Sequence, residues 1–166
     1  SAFAECDSLT SVTMPDSVTT IGERAFWGCS LTSITIGDSV TTIGDEAFCW
    51  CSSLTSVTIG DSVTTIGDKA FSYCDSLTSI TIGDSVTEIG NSAFRDCSSL
   101  TSVTIPDSVT SIGDWAFDGC SSLTSVYCKA TTPPAGGYSM FYNNASGRKI
   151  YVPTESVEAY KSAEGW

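Results

Sequence analysis

The pattern of apolar and polar positions repeats along the chain with a nearly constant period. Each unit opens with a leucine, and successive opening leucines lie 22 or 23 residues apart. A fixed period of this length is typical of a solenoid, in which each turn buries its apolar face only by stacking on its neighbours. We therefore predict an elongated stack of short turns. The units open at Leu9, Leu31, Leu54, Leu77, Leu100 and Leu123.

The first half of each unit predicts a short strand. In the third unit, Val57 and Ile59 fall on one face of an extended chain, and Ser56 and Thr58 fall on the other. This alternation indicates a strand with one buried face. A Gly-Asp-Ser turn follows the strand, because these residue types favour turns. A second short extended segment is predicted after the turn.

The second half of each unit predicts a bend and a short helical turn. Gly67 recurs at its place in other units, so the position is expected to need either a positive φ angle or close backbone approach. Asp68 is typical of a helix N-cap, and residues 70–74 then fit one helical turn that places Phe71 in the core. The glycine column comprises Gly22, Gly44, Gly67, Gly90 and Gly113, and the phenylalanine column comprises Phe26, Phe48, Phe71, Phe94 and Phe117.

The ordered set of leucine, Ile-Gly, Ala-Phe and cysteine resembles the BspA-like, or treponemal-type, leucine-rich repeat. The likeness covers the units from Leu9 to Leu123 and a partial unit at residues 1–8. It implies a leucine-rich-repeat solenoid of stacked parallel strands and short helical turns, with 22–23 residues per turn. It also implies a secreted or cell-surface bacterial protein that serves in adhesion by binding a host or microbial protein or glycan.

The regular units form a predicted solenoid domain over residues 1–126, and residues 127–166 are predicted to form an irregular C-terminal cap. Phe141 falls close to the phenylalanine column, and Val152-Pro153 echoes Ile105-Pro106. Residues 155–163 fit an amphipathic helix that covers the last open turn. The N-terminal end shows no such cap, so we expect either further sequence before it or end-to-end self-association.

Composition narrows the range of partners. The chain is 41% hydrophobic and carries 7 basic against 19 acidic residues, a net charge of −12. Nucleic acid and anionic membrane surfaces both require a positive surface, so neither is an expected partner. No apolar run reaches the ~18 residues of a membrane-spanning helix, so no membrane insertion is expected in this segment. Together with the family resemblance, this predicts an extracellular or bacterial cell-surface location.

Six of the eight cysteines share one column of the repeat. Their Cβ atoms would lie about 4.8 Å apart, against the ~3.8 Å that a disulfide prefers. We predict a buried ladder of free thiols, with disulfides or a metal site as the alternative. Cys128 is predicted to lie in the core and Cys49 to be exposed, free to pair with another cysteine. The ladder comprises Cys6, Cys29, Cys51, Cys74, Cys97 and Cys120.

The outward strand positions form a grid of hydroxyl side chains. Three interpretations compete: solvated strand residues suited to β structure, a ligand-facing sheet, and an ice-binding face. Serine lacks the methyl group of threonine, which weakens the ice-binding interpretation, and the grid lacks the Trp, Tyr and Arg of protein-binding hot spots. The candidate binding positions on this grid are Ser33, Thr35, Ser56, Thr58, Ser79 and Thr81.

Aromatic residues outside the regular apolar columns form a second candidate surface. Trp27, Trp50 and Tyr73 lie on consecutive units near the predicted helical turn, and Trp115 lies further along. Exposed aromatic patches commonly mark interaction sites. We predict a sugar-stacking or protein contact there, the alternative being that the rings fold back over the edge of the core.

Each unit carries an Asp-Ser-Val triplet in the turn after its first strand. The triplet resembles the Asp-Ser/Thr-aliphatic acceptor of the general O-glycosylation system of gut bacteria, and the resemblance implies that these serines carry glycans. The alternative is local turn chemistry, in which Asp and Ser bond the nearby backbone. The candidate serines are Ser17, Ser39, Ser62, Ser85 and Ser108.

No catalytic constellation is visible in the sequence. The chain contains no His, so neither a Ser-His nor a Cys-His nucleophile pair can form. The carboxylates recur in turns rather than forming a unique pair, and no cofactor motif is present. We predict a non-enzymatic binding scaffold without cofactor or metal. The alternatives are a structural spacer or filament subunit and, more remotely, an ice-binding protein.

Overall fold

The chain coils into a solenoid in which strands pair in parallel with their counterparts in neighbouring turns. A computed structural model describes all residues, 1–166. One side of the coil carries strands of three or four residues in two three-stranded sheets. Another side carries one six-stranded sheet of two-residue strands. The predicted solenoid of stacked parallel strands is confirmed.

Five of the six longer strands follow an opening leucine, from Leu31 to Leu123, whereas the strand predicted after Leu9 is not formed. The longer strands are β2 (Ser33–Ile36), β4 (Ser56–Ile59), β6 (Ser79–Thr81), β8 (Ser102–Ile105), β10 (Ser125–Cys128) and β12 (Lys149–Tyr151). The two-residue strands are β1 (Thr20–Ile21), β3 (Thr42–Ile43), β5 (Thr65–Ile66), β7 (Glu88–Ile89), β9 (Ser111–Ile112) and β11 (Ala135–Gly136). Corresponding positions of the repeat lie opposite each other across each pair, as where Thr35 lies opposite Thr58. In-register stacking therefore turns the valine and isoleucine side chains of the strands inward, because side chains alternate with a period of two.

The core contains a column of stacked phenylalanine rings. From Phe3 to Phe117, neighbouring ring centroids lie 5.1–5.3 Å apart with interplanar angles of 11° or less. Phe141 extends this column, with its centroid 5.5 Å from that of Phe117. The ring spacing is close to the ~4.8 Å rise between paired strands. One ring per turn therefore fills the interior from end to end.

The segment from the glycine column to the cysteine column differs in detail from the predicted helical turn. It begins with a hydrogen-bonded turn, in which Ala70 N–H donates to Gly67 O at 3.3 Å. Lys69 and Tyr73 then have φ angles of +54° and +60°, which interrupt a right-handed helix. Their N–H groups each donate to a carbonyl of the following turn at 2.8 Å. The segment is therefore a pair of turns hydrogen-bonded to its neighbour.

Close approach, and not positive φ, explains the glycine column at every position but the first, because a Cβ atom on Gly22 would meet nothing within 4 Å. None of its five glycines has a positive φ angle. A Cβ atom on Gly67 would lie 2.6 Å from Asp45 Oδ1 and 2.7 Å from Gly44 C. The Asp68 N–H donates to the same Asp45 oxygen at 2.9 Å. The Asp68 carboxylate likewise accepts the N–H of Asn91 in the following turn at 2.6 Å. The N-cap role predicted for Asp68 is therefore wrong, since its carboxylate links one turn to the next.

The C-terminal residues cover the end of the stack. A 3₁₀ turn (Thr154–Ser156) and helix α1 (Val157–Ser162) occupy the stretch predicted as an amphipathic helix. The Tyr160 hydroxyl donates to Ala130 O at 2.9 Å, and Trp166 Nε1–H donates to a backbone carbonyl at the same distance. The ring of Trp166 also packs edge-on against Phe141, with centroids 5.8 Å apart. The last ring of the phenylalanine column is thus covered.

Candidate binding groove

A shallow groove of about 260 Å³ crosses the turns that carry three of the predicted aromatic residues. It lies in the segments between the glycine and cysteine columns, and we call it the aromatic groove. It combines aromatic, hydroxyl and charged side chains, and so offers both apolar and ionic contacts to a ligand. Its lining residues are Trp27, Glu46, Cys49, Trp50, Lys69, Ser72, Tyr73, Ser92 and Arg95.

The groove arises where small side chains interrupt a column of large ones. In successive turns this column reads Trp27, Cys49, Ser72 and Arg95. Cys49 and Ser72 are buried and form the floor, whereas Arg95 is exposed and Trp27 half-buried. Because turns stack about 4.8 Å apart, the first and last of these positions are separated by about 14 Å. Two small residues between two large ones therefore account for the depression.

Trp50 and Tyr73 form an aromatic wall of the groove. Their rings stack with centroids 4.1 Å apart and an interplanar angle of 7°. Both residues have positive φ, as do Glu5 and Asp96 in the same column, so this backbone belongs to the repeat and does not mark function by itself. Trp50 is 48% exposed, and Tyr73 and Trp27 are half-buried. The structure thus brings Trp27, Trp50 and Tyr73 together around an open surface.

Charged side chains supply the polar part of the groove. Glu46 accepts a hydrogen bond from Arg24 Nε at 2.8 Å, and this bond lowers the pKa of Glu46. Arg95 Nε lies 3.2 Å from Asp118 Oδ2. Lys69 is exposed and forms no ion pair. The groove therefore contains one cation without a carboxylate partner.

The prediction that Cys49 is exposed is wrong. Its side chain is 3% exposed, because its column turns inward at the groove floor, where Ser72 is also buried. Burial raises the pKa of the Cys49 thiol to about 11. At neutral pH the thiol is therefore protonated and a poor nucleophile. All eight cysteines of the chain are free.

Trp115 lies outside the aromatic groove. It is 41% exposed, and its ring meets that of Tyr138 edge-on with centroids 5.9 Å apart. Tyr138 and Tyr142 are also exposed on this part of the coil. Trp115 therefore belongs to a separate aromatic surface toward the C-terminal end.

The hydroxyl grid lies on the outer face of the longer strands. Of its six candidate positions, Ser56 is half-buried and the other five are exposed. The threonine column of this grid continues into Tyr127, which lies opposite Thr104, and then into Tyr151. The two tyrosine rings stack 4.7 Å apart, and each residue is 44% exposed. Sequence reasoning missed this pair, although the 23-residue step from Thr104 to Tyr127 was a readable signal.

The thiol column faces the core. Cys6 is half-buried and the other five members are buried. The thiols of Cys51 and Cys74 donate to the carbonyls of Phe26 and Phe48 at 3.1 and 3.3 Å, so each bonds the preceding turn. Burial raises the pKa of Cys51 to about 12. No group of three or more His, Cys, Asp or Glu side chains is arranged to hold a metal ion.

The Asp-Ser-Val serines lie in the turns that follow the longer strands. Ser17 and Ser85 are exposed, and Ser39, Ser62 and Ser108 are half-buried. The Ser108 hydroxyl donates to Val86 O, 22 positions earlier, at 2.7 Å. This hydroxyl therefore bonds a neighbouring turn rather than its own. Glycosylation of the five serines stays a prediction.

Sequence reasoning also missed the polar lining of the aromatic groove. Lys69, Ser92 and Arg95 were not singled out, because they belong to two columns in which the residue type changes at every turn. The available signal was their register, since Lys69 and Arg95 occupy the same segment of the unit as Trp27 and Trp50. A comparison of irregular positions across units would have grouped them.

The chain belongs to the BspA-type leucine-rich repeat family. The family model matches in six copies, over residues 1–101 and 87–163. The structure contains no helix with the length and apolar character needed to cross a membrane. No curated protein matches the chain significantly.

Solved structures of bacterial leucine-rich repeat proteins share this fold. A cell surface protein from Faecalibacterium prausnitzii A2-165 is 28% identical with a TM-score of 0.66, over 97% of this chain and 58% of that one. A protein from Bacteroides ovatus has the same identity and TM-score, over 97% and 47%. The T. pallidum leucine-rich repeat protein shares the fold at 24% identity, with a TM-score of 0.71 over 94% and 86%. The chain spans about half the length of the first two.

Proposed function

We propose that this chain is a non-enzymatic binding module that acts outside the bacterial cell or on its surface. Family membership supports this, as does the description of the Faecalibacterium prausnitzii relative as a cell surface protein. A binding role, and not a catalytic one, fits a groove that has no histidine and whose thiol, Cys49, is protonated at neutral pH. The proposed ligand is a protein or glycan of the host or of another microbe.

The aromatic groove is the observation that carries this proposal. Elsewhere the repeat shows solvent mainly small hydroxyl and acidic side chains, whereas here Trp27, Trp50 and Tyr73 converge beside two cations. Exposed tryptophan and tyrosine rings combine a large apolar surface with a polar tip, and they are enriched in binding sites. The groove therefore has the composition of a recognition surface, in regular units whose turns otherwise present mainly hydroxyl and acidic side chains, apart from Trp115.

The test is to screen the purified chain on arrays of glycans and of extracellular matrix proteins, and then to compare two tryptophan variants. We expect Trp50→Ala to weaken binding about fivefold or more, because stacking on one ring is lost. Trp115→Ala is the matched control, since that ring is equally exposed but lies outside the groove, and it should bind normally. Arrays without a ligand, or equal losses in both variants, would contradict the proposal. Long assemblies in light scattering would instead favour the filament alternative.

A further inference from the structure

The few basic residues of the regular units are concentrated at the aromatic groove. Residues 1–126 hold all but three of the 19 acidic residues and only three of the seven basic ones. Lys69 and Arg95 line the groove, and Arg24 is bound to Glu46, which also lines it. No other part of the regular units carries a positive side chain. The cations of the regular units therefore lie beside Trp27, Trp50 and Tyr73, which form one of the aromatic surfaces of the coil.

Ion pairs within the protein involve two of these three cations. Arg24 pairs with Glu46 at 2.8 Å, and Arg95 lies between Asp118 and Asp96 at 3.2 and 3.4 Å. Lys69 forms no ion pair, and its side chain donates no hydrogen bond. Its ammonium group therefore holds no part of the fold in place. Counted with these partners, the three cations are balanced by Glu46, Asp96 and Asp118, so what distinguishes the groove is that Lys69 has no carboxylate within ion-pair distance in a chain of net charge −12.

The size of the groove restricts what can bind there. Its volume of about 260 Å³ lies below the ~300–1,000 Å³ of pockets that hold drug-sized ligands. A floor of small residues beside flat rings suits a small flat unit, such as a sugar ring with its apolar face on an aromatic wall. An ammonium group next to such a ring attracts a carboxylate or sulfate by charge-assisted hydrogen bonds.

We propose that the aromatic groove binds an anionic saccharide, with a sugar ring stacked on the face of Trp50 that Tyr73 does not cover and its acidic group at Lys69. The inference rests on the proposed binding function and adds the chemical class of the ligand. Glycans from several sources carry carboxylates or sulfates. The ligand class is therefore defined by a sugar ring with an acidic group, and the experiment distinguishes carboxylated from sulfated saccharides.

The test uses a panel of uronic-acid, sialic-acid and sulfated oligosaccharides, each beside a neutral counterpart in which the acid is esterified or absent. We expect at least one acidic series to bind about tenfold more tightly than its neutral counterpart, and to weaken as salt screens the charge. Lys69→Gln should lose roughly tenfold in affinity, the usual effect of deleting a charged hydrogen bond. Lys129→Gln, an exposed lysine outside the groove, should have no effect.

The possible failures of this test are distinguishable. Equal binding of neutral and acidic saccharides, with a loss in Trp50→Ala but none in Lys69→Gln, overturns the charge inference and leaves the proposed function standing. Binding of an acidic peptide or a protein alone also overturns it. Failure of every saccharide and every protein to bind through Trp50 overturns both proposals. Lys69→Arg should retain binding, because it preserves the charge.

Discussion

At the residue scale, the cysteine thiols are hydrogen-bond donors in the core. Cys51 donates to the carbonyl of Phe26, which also accepts the backbone N–H of Cys29 at 3.2 Å. The same thiol bond recurs in four further turns. In four of these five turns the thiol is the second donor to its carbonyl, and at Phe71 it is the first. Each thiol donates only while it keeps its proton.

Alkaline pH is accordingly expected to destabilise the fold. Burial raises the pKa of Cys49 to about 11 and that of Cys51 to about 12, and raises those of Cys74 and Cys97 well above the ordinary value. Thiols of the unfolded chain ionise near pH ~8.5, so above that pH the unfolded chain holds fewer protons and the free energy of unfolding falls. We expect a fall of at least about 1 kcal/mol per pH unit between about pH 9 and pH 11, measured by urea unfolding under reducing conditions. A Cys49→Ala, Cys51→Ala variant should show a shallower slope, and a constant free energy across this window would contradict the account.

At the scale of the elements, the two-residue strands end at glycines where consecutive turns come close together. Gly67→Ala would place a Cβ atom 2.6 Å from Asp45 Oδ1 and disturb the bond to Asp68 N–H. We expect a loss of about 1–3 kcal/mol in the free energy of unfolding, the usual cost of overpacking. Gly22→Ala is the matched control, since a Cβ atom there meets nothing within 4 Å. It should be neutral or slightly stabilising, and equal losses in guanidinium unfolding would refute the close-approach explanation.

The strands were predictable from sequence, but the turns between glycine and cysteine were predictable only in outline. Alternation of period two determines which face of a strand is buried, and repetition determines its register. Lys69 and Tyr73, in contrast, adopt positive φ although neither residue type favours it. Their conformation follows from hydrogen bonds to the next turn at 2.8 Å, which is a tertiary effect. Local propensity therefore suggested a helical turn where stacking selects a different backbone.

The same limit applies to the candidate groove. The aromatic residues were identifiable because they break an otherwise regular pattern, and Trp27, Trp50 and Tyr73 do line one surface. The sequence did not show whether the column that contains Cys49 faces the core or the solvent, since a column of Trp, Cys, Ser and Arg has no consistent polarity. Cys49 was placed outside for this reason, although it lies on the groove floor. How deeply a side chain is buried depends on packing between turns, whereas its position along the chain follows directly from the sequence.

At the scale of the whole molecule, the solenoid has no single central core that all turns share, because each turn packs only against its neighbours. Stability in such an array is close to a sum of turn and interface contributions, so the ends open most readily. At the C-terminal end the cap supplies the missing neighbour. Tyr160 bonds Cys128 Sγ at 3.0 Å and Ala130 O at 2.9 Å, and Trp166 packs on Phe141.

Deletion of residues 154–166 is therefore expected to loosen the stack from its C-terminal end. Amide hydrogens of β10 and β12 should exchange much faster, while those of β4 keep their protection, because opening spreads only through neighbouring interfaces. Tyr160→Phe is the milder companion variant, since it removes two hydrogen bonds and retains the ring, and it should cost about 1–3 kcal/mol. Hydrogen exchange measured by mass spectrometry compares the strands directly. Equal acceleration in β4, β10 and β12 would show that the turns unfold as one cooperative unit and that the cap acts on all of them.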